Sequence, residues 1–150
     1  MSDIEIYERP DVDFTNLIFA FSGWSDANST ATKAVQYLID KTKAKRFAEI
    51  QSEDFYDFSL VRPTMKFNES GNRVIEWPKN QFYYSTAEST RGLMFFLGVE
   101  PNLKWKTFTS LISSFCSDFK IKTMISLGAL LDSVPHTRPI KISGRFSNEI

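Results

Sequence analysis

A strand–helix–strand pattern occurs twice in this chain, and no other feature limits its possible folds as much. Residues 17–21 form a short apolar run that reads as a buried strand and breaks at Ser22-Gly23-Trp24-Ser25-Asp26. Ala27, Ala31, Ala34, Val35, Leu38 and Ile39 then recur at helical spacing, with Lys33, Asp40 and Lys41 on the other side. Ser25 or Asp26 is the expected N-cap, because a short oxygen-bearing side chain can accept from the free N–H groups of the first turn. Residues 46–50 are the next expected strand. The second copy has a strand at 93–97, a break at Glu100-Pro101-Asn102, and a helix marked by Trp105, Phe108, Leu111, Ile112, Phe115 and Phe119. Its last strand is expected at 123–127, buried. Strands alternating with helices imply an α/β domain with a largely parallel sheet.

Between the two copies the pattern changes. Residues 54–58 form an aromatic-acidic knot followed by Arg62-Pro63. Met65 and Phe67 alternate with polar neighbours, residues 68–72 read as a turn, and 74–77 return, so an inserted β-hairpin closed by Pro78 is expected. Phe82 to Tyr84 would add a short strand. At the other end, residues 141–146 look like the start of a further element, yet no helix follows to cover it. Two helices are few for covering both faces of such a sheet. Either the chain is truncated at Ile150, or an oligomer supplies the cover.

The 150 residues are expected to form a single domain with a real core. Fourteen phenylalanines suggest that this core is bulky and that an interface is buried as well. Eighteen basic residues balance eighteen acidic ones, so no global field draws nucleic acid or a membrane surface. No apolar run approaches the roughly 20 residues that span a bilayer. The acidic, polar N-terminus is unlike a secretory signal, and one cysteine, Cys116, fits a reducing compartment; a cytoplasmic protein is expected.

Three loops follow three expected strands: residues 22–26, 98–102 and 128–139. If those strands are parallel neighbours, the loops meet at the carboxyl edge of the sheet, where ligands of α/β proteins bind. Trp24, Asp26, Glu100, Asn102, Asp132, His136 and Arg138 would be brought together there. Asp26 or Glu100 beside the only histidine, His136, could serve acid–base chemistry, and Arg138 could hold an anion. The same residues have a structural reading: Asp26 caps a helix, Glu100 pairs with Arg138, and His136 braces its loop. Neither reading names a catalytic residue.

Other chemistries find little support. One histidine and one cysteine in distant segments do not make a zinc set, no spacing suggests a carboxylate magnesium site, and neither a metal nor a cofactor is expected. Cys116 lies beside Phe115 on the expected helix, where cysteine is usually inert packing. No nucleophile elbow, phosphate-binding loop or dinucleotide-binding glycine turn occurs. Lys41, Lys43, Lys45 and Arg46 read as the solvated end of the first helix, where cations suit its dipole.

Six ordered segments carry a resemblance: Phe21-Ser-Gly-Trp-Ser-Asp-Ala27, Tyr56-Asp-Phe58, Val61-Arg-Pro63, Ile75-Glu-Trp-Pro78, Gly98-Val-Glu-Pro-Asn102 with Trp105, and Leu127-Gly-Ala-Leu-Leu-Asp-Ser-Val-Pro-His-Thr-Arg-Pro139. In this order they resemble the bacterial and archaeal branch of the proteasome assembly chaperone 2 family, over residues 17–144. The resemblance implies a three-layer α/β/α fold like that of nucleoside phosphorylases and peptidyl-tRNA hydrolase-type enzymes, and it implies oligomerisation. Eukaryotic relatives help assemble the proteasome α-ring, archaeal relatives dock through a C-terminal hydrophobic-Tyr-x tail, and most bacterial members have no assigned activity. Family members continue past the His-Thr-Arg-Pro motif, so this chain resembles the N-terminal portion of a longer family domain. Its last three residues, Asn-Glu-Ile, are not the docking tail.

Two functions are therefore expected. One is a non-catalytic assembly or interaction protein whose partners are itself and proteasome subunits. The other is an enzyme or binding protein for a small nucleoside-like or anionic ligand at the three-loop cluster.

Overall fold

The computed structural model describes residues 4–86 and 92–147. The sequence 148–150, discussed above as unlike a docking tail, lies outside them. Eight strands and two helices follow in chain order: β1 (Ile4–Ile6), β2 (Phe14–Ser22), α1 (Thr30–Lys41), β3 (Lys45–Ile50), β4 (Thr64–Phe67), β5 (Arg73–Glu76), β6 (Asn80–Ser85), β7 (Gly92–Val99), α2 (Trp105–Asp118) and β8 (Thr123–Ser126). Six strands form one sheet in the order β1-β3-β6-β7-β2-β8, and β4 and β5 form a separate two-stranded hairpin.

The sheet is mixed. β2 is parallel to both β7 and β8, whereas β1–β3, β3–β6 and β6–β7 are antiparallel. Tracing those pairings, β2, β3, β7 and β8 run one way, and β1 and β6 run the other. Parallel character is thus concentrated in β7-β2-β8. The hairpin insertion lets the chain return as β6, which separates β3 from the parallel trio.

Alternation along the central strands divides the core. Leu17, Met94, Phe96 and Phe82 point to one face, where they meet Phe108, Ile112, Phe115 and Cys116 of α2. Ala20 and Phe95 point to the other, where they meet Ala31, Val35 and Ile39 of α1. The spacing of those three α1 residues forms a single stripe down the helix, which is why this short helix has one dry side. A register shift between Arg46 and Ala48 marks a bulge in β3, and Phe47 and Ala48 both join the α2-side cluster. Burial pushes the Cys116 thiol up to about 11, so it is packing and not a nucleophile at neutral pH.

Four expectations need correction. All four residues of β8 are exposed: β8 is an edge strand with one neighbour, and neither core cluster extends over Met124 or Ile125. Residues 141–146 form neither helix nor strand, because no neighbouring strand accepts their backbone. Trp105, expected on the buried stripe, begins α2 and is exposed. The basic run is not one helix end, since Lys45 and Arg46 already belong to β3, where Arg46 stacks over Tyr7 and pairs with Glu49.

Among the described residues no helix is long and apolar enough to cross a membrane. Among them, too, no cluster of three or more His, Cys, Asp or Glu is placed to hold a metal ion.

Candidate functional site

β2 and β7 are adjacent and parallel, but their following connections leave toward opposite faces, α1 on one side and α2 on the other. Such divergence opens a crevice at the carboxyl edge of a sheet. Here it is a cleft of about 550 Å³, lined by Ser22, Gly23, Leu60, Val61, Val99, Glu100, Pro101, Asn102 and Trp105. The volume lies within the range that small-molecule sites occupy.

Glu100 joins the first two loops. Its carboxylate accepts from the Trp24 N–H at 3.0 Å, the Ser25 N–H at 3.4 Å and the Ser25 hydroxyl at 2.9 Å, while its own N–H donates to the Ser22 carbonyl at 2.9 Å. Gly23 is required by this contact. A Cβ there would lie 2.5 Å from Glu100 Oε2, and its φ of +157° is one that L side chains rarely adopt.

Asp26 is buried and faces the helix. Its Oδ1 accepts from the Ala31 N–H at 2.8 Å and the Thr32 N–H at 3.1 Å, and its Oδ2 from the Thr32 hydroxyl at 2.5 Å. It caps α1 from a distance, because Asn28 and Ser29 take left-handed φ values of 54° and 56° and insert a 3-10 turn before the helix proper. The cap expected at this position is present, displaced by that turn.

On the far side of the cleft, Asn102 Oδ1 accepts from the Asp57 N–H at 3.2 Å, and the Asn102 N–H donates to the Phe55 carbonyl at 2.9 Å. These bonds tie the aromatic-acidic knot to the β7–α2 loop. The Tyr56 hydroxyl lies 2.7 Å from the Val99 carbonyl and 2.9 Å from Asn80 Oδ1, and burial pushes its phenol well above the ordinary range, so it acts as a neutral donor. Asn80 Oδ1 also accepts from the Val99 N–H at 3.0 Å, which leaves its buried Nδ2 without an acceptor among the described residues.

The third loop arrives through its backbone. Ala129 N–H donates to the Ser25 carbonyl at 2.7 Å, and the Ala27 N–H donates to the Ala129 carbonyl at 3.0 Å. From Leu130 to Ser147 the chain is exposed. The Asp132 carboxylate accepts from the neighbouring Ser133 N–H at 2.7 Å, and among the described residues neither His136 nor Arg138 makes a side-chain hydrogen bond or ion pair with Asp26 or Glu100. Trp24 is also exposed. Glu100 and Asn102 therefore line the cleft, Asp26 supports it from below, and Asp132, His136 and Arg138 stand outside it.

Sequence reading did not single out Ser25 as the partner of Glu100, nor Leu60, Val61, Tyr56 and Asn80 around the cleft. The knot at 54–58 was the one available signal for them, since a cluster of aromatic and acidic residues before Arg-Pro packs against something.

A model of the PAC2 family matches residues 20–149. The chain is similar in structure to a PAC2 family protein from Streptomyces avermitilis, with 34% identity, a TM-score of 0.74, and coverage of 83% of this chain and 54% of that one. It is likewise similar to a proteasome-assembly chaperone homologue from Mycobacterium tuberculosis, with 33% identity, a TM-score of 0.76, and coverage of 83% and 53%. An archaeal proteasome activator from Pyrococcus furiosus shares the fold at 24% identity, a TM-score of 0.61, and coverage of 84% and 51%. The chain spans about half the length of these solved relatives. No curated protein matches it.

Proposed function

The chain belongs to the PAC2 family, and from that premise we propose that it is a non-catalytic interaction protein serving proteasome assembly, acting in the cytoplasm as a homo-oligomer. The observation that carries this is the 33% identity to a proteasome-assembly chaperone homologue across 83% of the chain. The local chemistry supports it. Asp26 directs its carboxylate at N–H and hydroxyl donors of the first turn of α1, and Glu100 at those of the loop after β2, which supports a bracing role over acid–base work. Meanwhile Trp24, Leu131 and Ile142 expose most of their surface, as docking residues do. The finer fold description, three-layer α/β/α of the nucleoside-phosphorylase type, belongs to the same proposal and is supported by core clusters on opposite sheet faces.

The test is co-purification of the gene product with proteasome α-subunits of the same organism. Retention of α-subunits through gel filtration is the expected result. If no α-ring or α-subunit is retained, the proposal is lost.

We also propose, as a second reading, a small nucleoside-like or anionic ligand at the three-loop cluster. The favouring observation is the 550 Å³ cleft at the point where the β2 and β7 connections diverge. A true ligand at 100 times its dissociation constant adds about 2.7 kcal/mol of stability, so nucleosides, phosphate and sugar phosphates should include one that raises the melting temperature. No shift with any of them, or an equal shift in a Trp105→Ala variant that removes one wall of the cleft, overturns this second reading.

A further inference from the structure

We propose that one face of the β4–β5 hairpin is a two-fold contact between two copies of this chain, an inference that rests on the homo-oligomer proposed above. The register pairs Met65 with Ile75 and Phe67 with Arg73, so these four side chains share one face. The other face pairs Thr64 with Glu76 and Lys66 with Val74, and is closed by the Lys66–Glu76 ion pair at 2.6 Å. The hairpin is thus amphipathic, but its apolar face is bare: Met65, Phe67 and Ile75 are 53%, 64% and 63% exposed. Trp77, next in the alternation, packs edge-on against Phe58 with ring centroids 4.8 Å apart and is still 49% exposed.

A two-stranded hairpin outside a sheet is marginal in water unless its apolar face is covered. This one belongs to neither core cluster, although its turn is well made: Asn68 Oδ1 accepts from Ser70 and Asn72 N–H at 3.1 and 2.8 Å, and Gly71 takes a φ of 76°. Its shape is determined by its own turn, while its apolar face lies exposed.

A second copy fits as that cover on two grounds. Large side chains of this kind bury on the order of 150–250 Å² each, so the four half-exposed ones with Arg73 offer roughly 500 Å² per copy. The pair would bury roughly 1,000 Å², the lower bound for a specific interface. The face is also self-complementary. Arg73 and Phe67 lie toward the tip, Met65 and Ile75 at the middle, and Trp77 at the base. A two-fold axis through Ile75 sets the tip of one hairpin on the base of the other, and Arg73 of each copy over the indole of its mate, a cation–π contact. With equal numbers of acidic and basic residues, the two copies have no net repulsion to overcome.

The test is sedimentation of the whole chain over a range of concentrations, with circular dichroism as a folding control. Wild type should be dimeric or larger, and Ile75→Asp should dissociate this contact at least tenfold more readily while retaining the native spectrum. A wild type that is monomeric throughout overturns the homo-oligomer and this interface with it. An oligomer untouched by Ile75→Asp leaves the homo-oligomer standing and overturns the hairpin face alone. If Ile75→Asp loses binding to α-subunits while the wild type is monomeric, the face belongs to that partner and not to a second copy. Should Ile75→Asp fail to fold, Ile75→Cys decides the matter. Placed on the axis, it should cross-link two copies under mild oxidant, and absence of the cross-link overturns the proposal.

Discussion

Phe47→Ala should destabilise the protein by about 3–5 kcal/mol, the range for removing a large aromatic side chain from a closed core. The ring is fully buried and is the meeting point of five others: Tyr84 and Phe119 at 5.5 Å, Phe115 at 5.9 Å, and Phe14 and Phe82 at 6.4 Å between centroids. These neighbours come from β2, β6, α2 and the residue that ends α2. The cavity therefore cannot be closed by moving one element without detaching it from another. Domains are stable by only about 5–15 kcal/mol, so a large part of the total would be lost. The measurement is the urea midpoint, with the slope checked to be unchanged. A loss below about 1 kcal/mol would mean that the α2-side cluster repacks freely, contrary to the interlocked rings described here.

Asp26→Ala should cost about 2–3 kcal/mol, from the loss of charge-assisted bonds to two N–H groups and one hydroxyl. The Ala31 and Thr32 N–H groups would be left without their acceptor, and Ala31 is itself buried. Asp26→Asn keeps the shape and one acceptor oxygen, so it should recover more than half of the loss. An equal loss in both variants would show that the charge matters more than the capping geometry. A negligible loss in Asp26→Ala would refute the brace altogether and reopen Asp26 as a residue held in place for a ligand. The contrast thus separates the two readings of this carboxylate.

Some of this was legible in the residues. The α2 stripe of Phe108, Ile112 and Phe115 is buried as its spacing implied, because a helix returns to the same side every third or fourth residue whatever its partner. The β4–β5 hairpin lies where its alternation and turn residues placed it, since both signals are local. Capping by Asp26 was legible from its chemistry, although the left-handed Asn28 and Ser29 that displace it were not.

The rest depended on partners far along the chain. Met124 and Ile125 are as apolar as any buried strand, and only the sheet order reveals that they sit on an edge. Nothing within β3 indicates that it pairs antiparallel with β6. Glu100 and Ser25 are 75 positions apart, so their hydrogen bond has no sequence signature beyond the presence of the two residue types. His136 illustrates the reverse case. A lone histidine between prolines drew notice from sequence, whereas the structure puts it in an exposed turn beyond the backbone contact at Ala129.

The position of β2 has a consequence for how the protein is made. It is the second strand to leave the ribosome, yet its neighbours are the seventh and the eighth: Leu17 pairs with Met94 on one side and with Met124 on the other. Its apolar residues therefore wait, unpaired, until β7 and β8 have been made. Pairings this distant in sequence close slowly, and strands left open in the meantime are prone to the wrong partner. The interval between the synthesis of β2 and that of β7 is thus the period in which this strand is open to mispairing.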